Sequence, residues 1–388
     1  MSDTAAFTFF HSTQRVRYAP GALAELGALA EEFGCRRAAV VMDEYFRGGA
    51  VEDRIAETLN AANPVFHGVP QQEPDTDIVE TARAFLAEAD PDMVIAVGGG
   101  SAMDAAKVSR MLLSNPGPIN DIVGPVGVKM TPHPSLFVCV PTTAGTGSEV
   151  SESAIISKTG TDYKLIFRSP EMTARVAVLD PELSLTAPPG VTAASGYDAV
   201  THAVEAFTSR ASGPMTDPFA IGAMEKLARA LPVVYADPDD IEARGACLVG
   251  SMQAAIAFNS AHLGLAHAIA GALGALHHVP HGLANALALP WTMAFNQPAL
   301  GEKGDLVMRI FGGETAAEGL SQLRKTVGLD RSLDEFVASD AQRDAVAEGA
   351  SKSGQVRVNP RAPSVGEIRT ILEAMRMPTD GAQPHLNL

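Results

Sequence analysis

In the second half of a 388-residue chain, Asp198 with His202 and His267 with His281 offer one carboxylate and three imidazoles. Carboxylate oxygens and neutral imidazole nitrogens are donors for a first-row divalent cation, Fe(II) or Zn(II) among them, and affinity order alone does not choose between the two. Such a set would make the chain a metal-assisted catalyst rather than a plain nucleotide binder. Taken singly, a buried histidine is more often a hydrogen-bonded core residue than a ligand, and the chain has ten. The grouping is what carries the reading.

Asp198 and His202 lie in SGYDAVTHAVEAF, whose apolar residues recur at helical spacing, so at i and i+4 the two side chains share a face. His267 and His281 would stand roughly 21 Å apart on one unbroken helix at 1.5 Å per residue. The chain must bend between them. GALGALHHVPHG offers the means: Gly271 and Gly274 weaken a helix, while Pro280 interrupts one and suits the first turn of the next.

Two glycine loops suggest a partner for this chemistry. MVIAVGGGSAMDAAK reads as a buried strand, a glycine turn and a helix start, where backbone N–H groups at Gly99, Gly100 and Ser101 would cradle a pyrophosphate. The usual dinucleotide spacing is not met, since position 103 is Met. Asp104, read as lying in the first helical turn, would favour the helix dipole without any ligand. PTTAGTGSEV concentrates Thr142, Thr143, Thr146 and Ser148 for a second phosphate or ribose contact. Asp43, ending the strand AAVVMD, suits an adenosine ribose and favours NAD over NADP.

The elements that must position these groups follow from pattern. RRAAVVMD, GGAVEDRIAETLNAA, PVFHGV, DTDIVETARAFLAEA and MVIAVGGG alternate strand and helix signals, as βαβ units of a parallel sheet do. Strands are expected again at SLFVCVP, SESAIISK and ARVAVLD, with SNPGPINDIVGPVGVKMTPHP an exposed loop near the cofactor. After PELSLTAPPGVTAA the strand signals nearly vanish and Ala- and Leu-rich helical patterns dominate. The expected fold class is an α/β N-terminal Rossmann-like domain, 1–185, plus an all-α C-terminal domain, 186–388. The last segment, MPTDGAQPHLNL, reads as a tail.

Composition narrows the function classes. With 46% hydrophobic and 19% charged residues the chain is globular rather than disordered. A net charge of −16 argues against nucleic acid as a partner, since phosphate binding needs a basic face. No apolar run reaches membrane-spanning length and the first residues lack a signal-peptide pattern, so a soluble, cytoplasmic protein is expected. Cys35, Cys139 and Cys247 are scattered among apolar neighbours and read as small buried residues, not as a disulfide frame.

With these pieces in place the chain resembles the iron-containing (group III) alcohol dehydrogenase family along nearly all its length. GGGSAMDAAK, PTTAGTGSEV, GYDAVTHAVEAF, and GLAH followed by PHGLANALALP stand in the family's order. The resemblance implies a dehydroquinate synthase-like architecture, with NAD and a metal, Fe2+ before Zn2+, held in a cleft between the domains. It implies Asp198, His202, His267 and His281 as metal ligands. It places Asp43, residues 99 to 101, Thr142, Thr146, Lys164 and Leu183 near the dinucleotide, and suggests a homodimer. One position departs: many members carry another His four residues after the third ligand, where this chain has Gly271, which removes a titratable group and opens space. The expected activity is hydride transfer between NAD(H) and a small alcohol/aldehyde or ketone pair. Two other functions fit the same architecture, a dehydroquinate synthase-like lyase and a non-catalytic nucleotide or metabolite sensor. The lyase needs a richly basic pocket that the second half does not supply.

Overall fold

The computed structural model describes residues 12, 15–119, 130–161 and 163–376. The centre of the Pro- and Gly-rich loop, residues 120–129, and the closing segment, 377–388, lie outside the described residues. The chain divides into two compact units, Ser12–Thr192 with Asp237–Met252, and Ala193–Ala236 with Gln253 onward.

The first unit is built on six strands: β1 (Arg15–Tyr18), β2 (Ala38–Asp43), β3 (Val65–Val69), β4 (Met93–Gly98), β5 (Leu136–Pro141) and, later in the chain, β8 (Val176–Leu179). Their order is β1-β8-β5-β4-β2-β3 and every pairing is parallel. Between them β6 (Ser153–Ser157) and β7 (Lys164–Arg168) form a separate antiparallel hairpin. Strands β4, β5 and β8 are buried throughout, which is why they read as unbroken apolar runs rather than alternating ones. Side chains still alternate between faces. Val94 and Ala96 of β4 join a core with α3 (Thr76–Ala89) and α4 (Gly100–Ser114), whereas Met93, Ile95 and Val97 join one with α1 (Glu25–Glu32) and α2 (Ala50–Thr58). Each such Val or Ile contributes roughly 1.5–3 kcal/mol of burial.

β1 and β7 are absent from the sequence expectation. Each is short, and RVRY and KLIFR both begin and carry charge, because each runs along a half-exposed edge.

From β2 the chain moves outward to β3, then returns to place β4 on the other side of β2. The direction of winding therefore reverses between β2 and β4, and ligands of open α/β sheets bind outside the carboxyl ends of the strands at that reversal. Asp43 ends β2 and Gly98 ends β4.

The second unit is helical: most of α5 (Pro189–Thr208), then α6 (Asp217–Ala236), the end of α7 (Ile241–Ala261), α8 (Leu265–His277), α9 (His281–Asn296), α10 (Glu302–Phe311), α11 (Ala316–Thr326), α12 (Asp340–Ser351) and α13 (Val365–Ala374). Capping boxes at Ser339/Gln342 and Ser364/Glu367 start the last two by satisfying N–H groups that a helix leaves unpaired. Helices α7 and α8 meet at 100°, and no single described helix is long and apolar enough to cross a membrane. The described thiols are free; Cys139 and Cys247 are buried, but Cys35 is only half-buried, at the end of a surface turn.

Candidate metal centre and nucleotide loops

Asp198, His202 and Glu205 follow one another at four and three residues along α5, so all three point from the same face. His267 comes from the first turn of α8. The helix does not yield at Gly271 or Gly274, as the sequence suggested, but runs unbroken to His277. It stops where His278 takes a left-handed conformation (φ 53°), and Pro280 then caps α9, whose first residue is His281. A glycine inside a packed helix costs stability without ending it, whereas a left-handed residue followed by proline must.

Close approach of the backbones brings the groups together. A Cβ on Gly282 would lie 2.2 Å from the Ala194 carbonyl oxygen, so glycine lets α9 touch α5 one turn before Asp198. As a result, Nε2 of His267 and of His281 each lie 3.6 Å from Asp198 Oδ1. One donor atom from each of these three residues falls within 4.8 Å of the others, a spacing that a single divalent cation could bridge. His202 approaches from the other side, with Nε2 3.9 Å from Asp198 Oδ2 and its ring stacked on His267 at 4.7 Å. Asp198, His202 and His267 are buried, while the His281 side chain is 40% exposed and leaves that flank open to solvent.

The electrostatics of the cluster follow from its burial and its carboxylates. Burial would raise the Asp198 carboxyl, but His202, His281 and the His267 hydrogen bond outweigh it and hold it well below the usual range. Burial lowers His202 to about 4 despite Asp198 nearby. For His267 burial also pulls downward, yet hydrogen bonds to Asp198 and Glu205 prevail and lift it to about 9. A field that draws a proton to His267 also draws a metal cation to it.

Two residues in this cluster escape the sequence reading. Glu205 Oε2 accepts from His267 Nδ1 at 2.6 Å and Oε1 accepts from the Ala266 amide, also at 2.6 Å. Asn285 is fully buried one turn after His281 and donates from Nδ2 to Asp198 Oδ1 at 2.7 Å. Both were visible as spacing, Glu205 three residues beyond His202 and Asn285 four beyond His281. Spacing alone does not tell a Glu or Asn that faces the site from one that faces solvent, so only proximity identifies them. The buried Asn359 completes the support: its Oδ1 accepts the Leu265 amide, and a Cβ on Gly264 would collide with both Asn359 and Glu205. Arg361 is occupied within the scaffold, pairing with Glu367 and lying over Phe295.

The candidate nucleotide loops belong to the sheet unit. Gly98 has φ +148°, and a Cβ there would meet Ala102 at 2.8 Å and Asp43 at 3.1 Å. Gly99 caps α4 without any side-chain hydrogen bond to the helix's first N–H groups, which stay available to an anion. The second loop abuts the first: the Thr142 amide donates to the Gly98 carbonyl at 3.0 Å, and Cβ atoms on Gly99 and Gly100 would touch Thr143 and Thr146. Asp43, Gly99, Gly100, Ser101, Thr142, Thr143 and Thr146 thus gather at the carboxyl ends of β2, β4 and β5, and the glycine cradle fits a pyrophosphate. The Asp43 carboxylate also accepts the Tyr45 amide.

Lys164 and Leu183 are engaged elsewhere in that unit, Lys164 with Glu73 at 2.8 Å and Leu183 in the core beneath the sheet. Asp104 lies beyond the first turn of α4 and acts as a tether, accepting from Ser148 Oγ at 2.6 Å and from the Ile155 amide at 2.9 Å. Beside it the buried Lys107 donates to Ser148, Ser151 and the Ser153 carbonyl, fixing the second loop from below.

The comparisons with known proteins agree along the chain. A family model described as iron-containing alcohol dehydrogenase matches residues 13–181, and its C-terminal counterpart matches 192–376. The NAD-dependent methanol dehydrogenase of Bacillus methanolicus is 31% identical over 91% of this chain and 96% of its own length. A probable alcohol dehydrogenase of Escherichia coli (strain K12) is 34% identical over 90% of each. Among solved structures, a 1,3-propanediol oxidoreductase superposes with a TM-score of 0.91 at 29% identity, covering 95% of this chain and 100% of that one. The chain belongs to the iron-containing alcohol dehydrogenase family.

Proposed function

We propose that this protein is a metal-dependent oxidoreductase that transfers hydride between NAD(H) and a small alcohol and its aldehyde or ketone. The observation that carries this reading is the convergence of Asp198, His267 and His281, whose donor atoms lie within 4.8 Å of one another. Bound at these donors, a divalent metal supplies polarisation of the substrate oxygen, and NAD(H) supplies or accepts the hydride.

The rest is the work of the chain's own groups. Asp198, held ionised by its imidazole neighbours, brings negative charge to the centre of the donor set. His202 completes it as fourth donor, its low proton affinity keeping the imidazole neutral. Glu205 takes the Nδ1 proton of His267 and thereby aims Nε2 at the site. In the sheet unit, Gly99, Gly100 and Ser101 hold the pyrophosphate on the α4 N-terminus, and Thr142, Thr143 and Thr146 supply hydroxyls. Asp43 takes the adenosine ribose and disfavours a 2′-phosphate. Lys164 and Leu183 join the nucleotide set through the family resemblance, a phosphate at Lys164 competing with Glu73. Residues 1–185 serve as the nucleotide-binding domain and 186–388 as the metal-binding domain of a soluble, cytoplasmic homodimer with iron as its first metal.

The test is to strip the protein, reconstitute it with iron or zinc, and follow NADH and then NADPH oxidation across a panel of aldehydes and ketones. Asp198→Ala and His267→Ala should abolish both metal retention and turnover; full turnover by a metal-free variant would overturn the reading.

A further inference from the structure

Asn285 Nδ2 stands at the centre of the donor set: besides Asp198 Oδ1 at 2.7 Å, it lies 3.1 Å from His267 Nε2 and 3.3 Å from His281 Nε2. The amide orientation is fixed by charge, since the reverse would place a carbonyl oxygen 2.7 Å from a carboxylate oxygen. An amide NH2 has two hydrogens, and Asp198 takes one, so the second is left in the gap between the two Nε2 atoms. A cation bound by Asp198 Oδ1 and the two Nε2 atoms would need the place that Nδ2 fills.

The other end of the amide is equally informative. Asn285 Oδ1 is buried with no hydrogen-bond partner among the described residues. A core asparagine kept for packing alone is ordinarily satisfied at both ends. Here only Nδ2 is anchored, and it is anchored by the atoms that the metal reading assigns as ligands. No hydrogen bond at Oδ1 among the described residues resists a turn of the amide.

We propose that Asn285 is a positioning residue that holds Asp198 through one Nδ2 hydrogen, fills the gap between His267 and His281 with the other, and gives up that gap when a divalent cation binds. This deepens the metal-site reading above and rests on it. Asn285 therefore stabilises the stripped protein more than the loaded one, and the contact of its second hydrogen with the imidazoles must be exchanged for metal bonds. The cation affinity of the wild type is correspondingly lower than its donors alone would give.

The experiment compares wild type with Asn285→Ala, which removes the amide, and Asn285→Leu, which fills most of its volume without a donor. Zinc dissociation constants are measured on stripped protein by competition with a chromophoric chelator, and melting curves are taken stripped and zinc-loaded. The expected result is zinc binding five- to tenfold tighter in both variants, what one neutral hydrogen bond is worth, with the melting temperature lowered mainly in the stripped form. Equal losses in both forms with an unchanged dissociation constant would reduce Asn285 to a packing residue and overturn the proposal. Weaker binding would also overturn it, making Asn285 a support of the bound cation. Failure of the wild type itself to bind zinc or iron would sink the metal-site reading and this inference with it, whereas wild-type binding with unaltered variants sinks only the inference.

Discussion

Glu205 accepts the Nδ1 proton of His267 at 2.6 Å and, through its other oxygen, the amide that opens the helix carrying that histidine. One carboxylate thus fixes both the ring's tautomer and the position of its backbone. Outer partners of this kind typically change metal affinity 10–100-fold. Glu205→Ala should lower metal retention by about that factor. Glu205→Gln, which keeps one acceptor oxygen, should fall between. Metal content after dialysis against a chelator checks this; retention equal to wild type in the alanine variant would remove Glu205 from the site.

Glu149 lies buried in the second glycine loop, and burial raises its carboxyl to about 7 although its own backbone N–H and Lys107 pull the other way. An unfolded glutamate releases its proton near 4.5. Between those values the folded state holds more protons than the unfolded one, so stability falls as pH rises. The contribution is fully present below about 4.5 and lost above about 7, with an upper bound of roughly 3 kcal/mol. Glu149→Gln should match wild type at pH 4 and exceed it in urea midpoint at pH 8. Parallel stability curves across that range would exclude Glu149 as their source.

Gly98 combines a backbone angle that side chains rarely adopt with contacts that a methyl group would violate at 2.8 and 3.1 Å. Gly98→Ala should destabilise the protein by about 1–3 kcal/mol and weaken NAD binding more than tenfold, because the cradle must deform. Denaturation and NAD titration read the two effects separately. Loss of stability with unchanged NAD affinity would move the pyrophosphate away from this loop.

Gly271 gives the opposite expectation. It is interior to α8 with nothing within 4 Å of its missing Cβ, so helix propensity acts alone. Gly271→Ala should stabilise by about 0.5–1 kcal/mol without loss of metal. A destabilised variant would mean that the space beside Gly271 is filled by something essential.

Local pattern determined a great deal about this protein. Unbroken apolar runs marked β2, β4, β5 and β8, since strands covered on both faces need no alternation. The i, i+4 spacing of Asp198 and His202 was readable because a helix face depends only on nearby residues, and Pro280 required a break before His281. What tertiary structure alone decided depends on atoms distant in sequence. That α8 runs through two glycines and ends at His277 follows from packing that outweighs propensity. That Asp104 and Lys107 tether a loop more than forty residues away follows from where β6 comes to lie. Glu205 and Asn285 are ordinary helix residues in the sequence; they gain a role because Gly282 lets α9 approach α5 closely enough for Asp198 to meet both histidines across the helix interface.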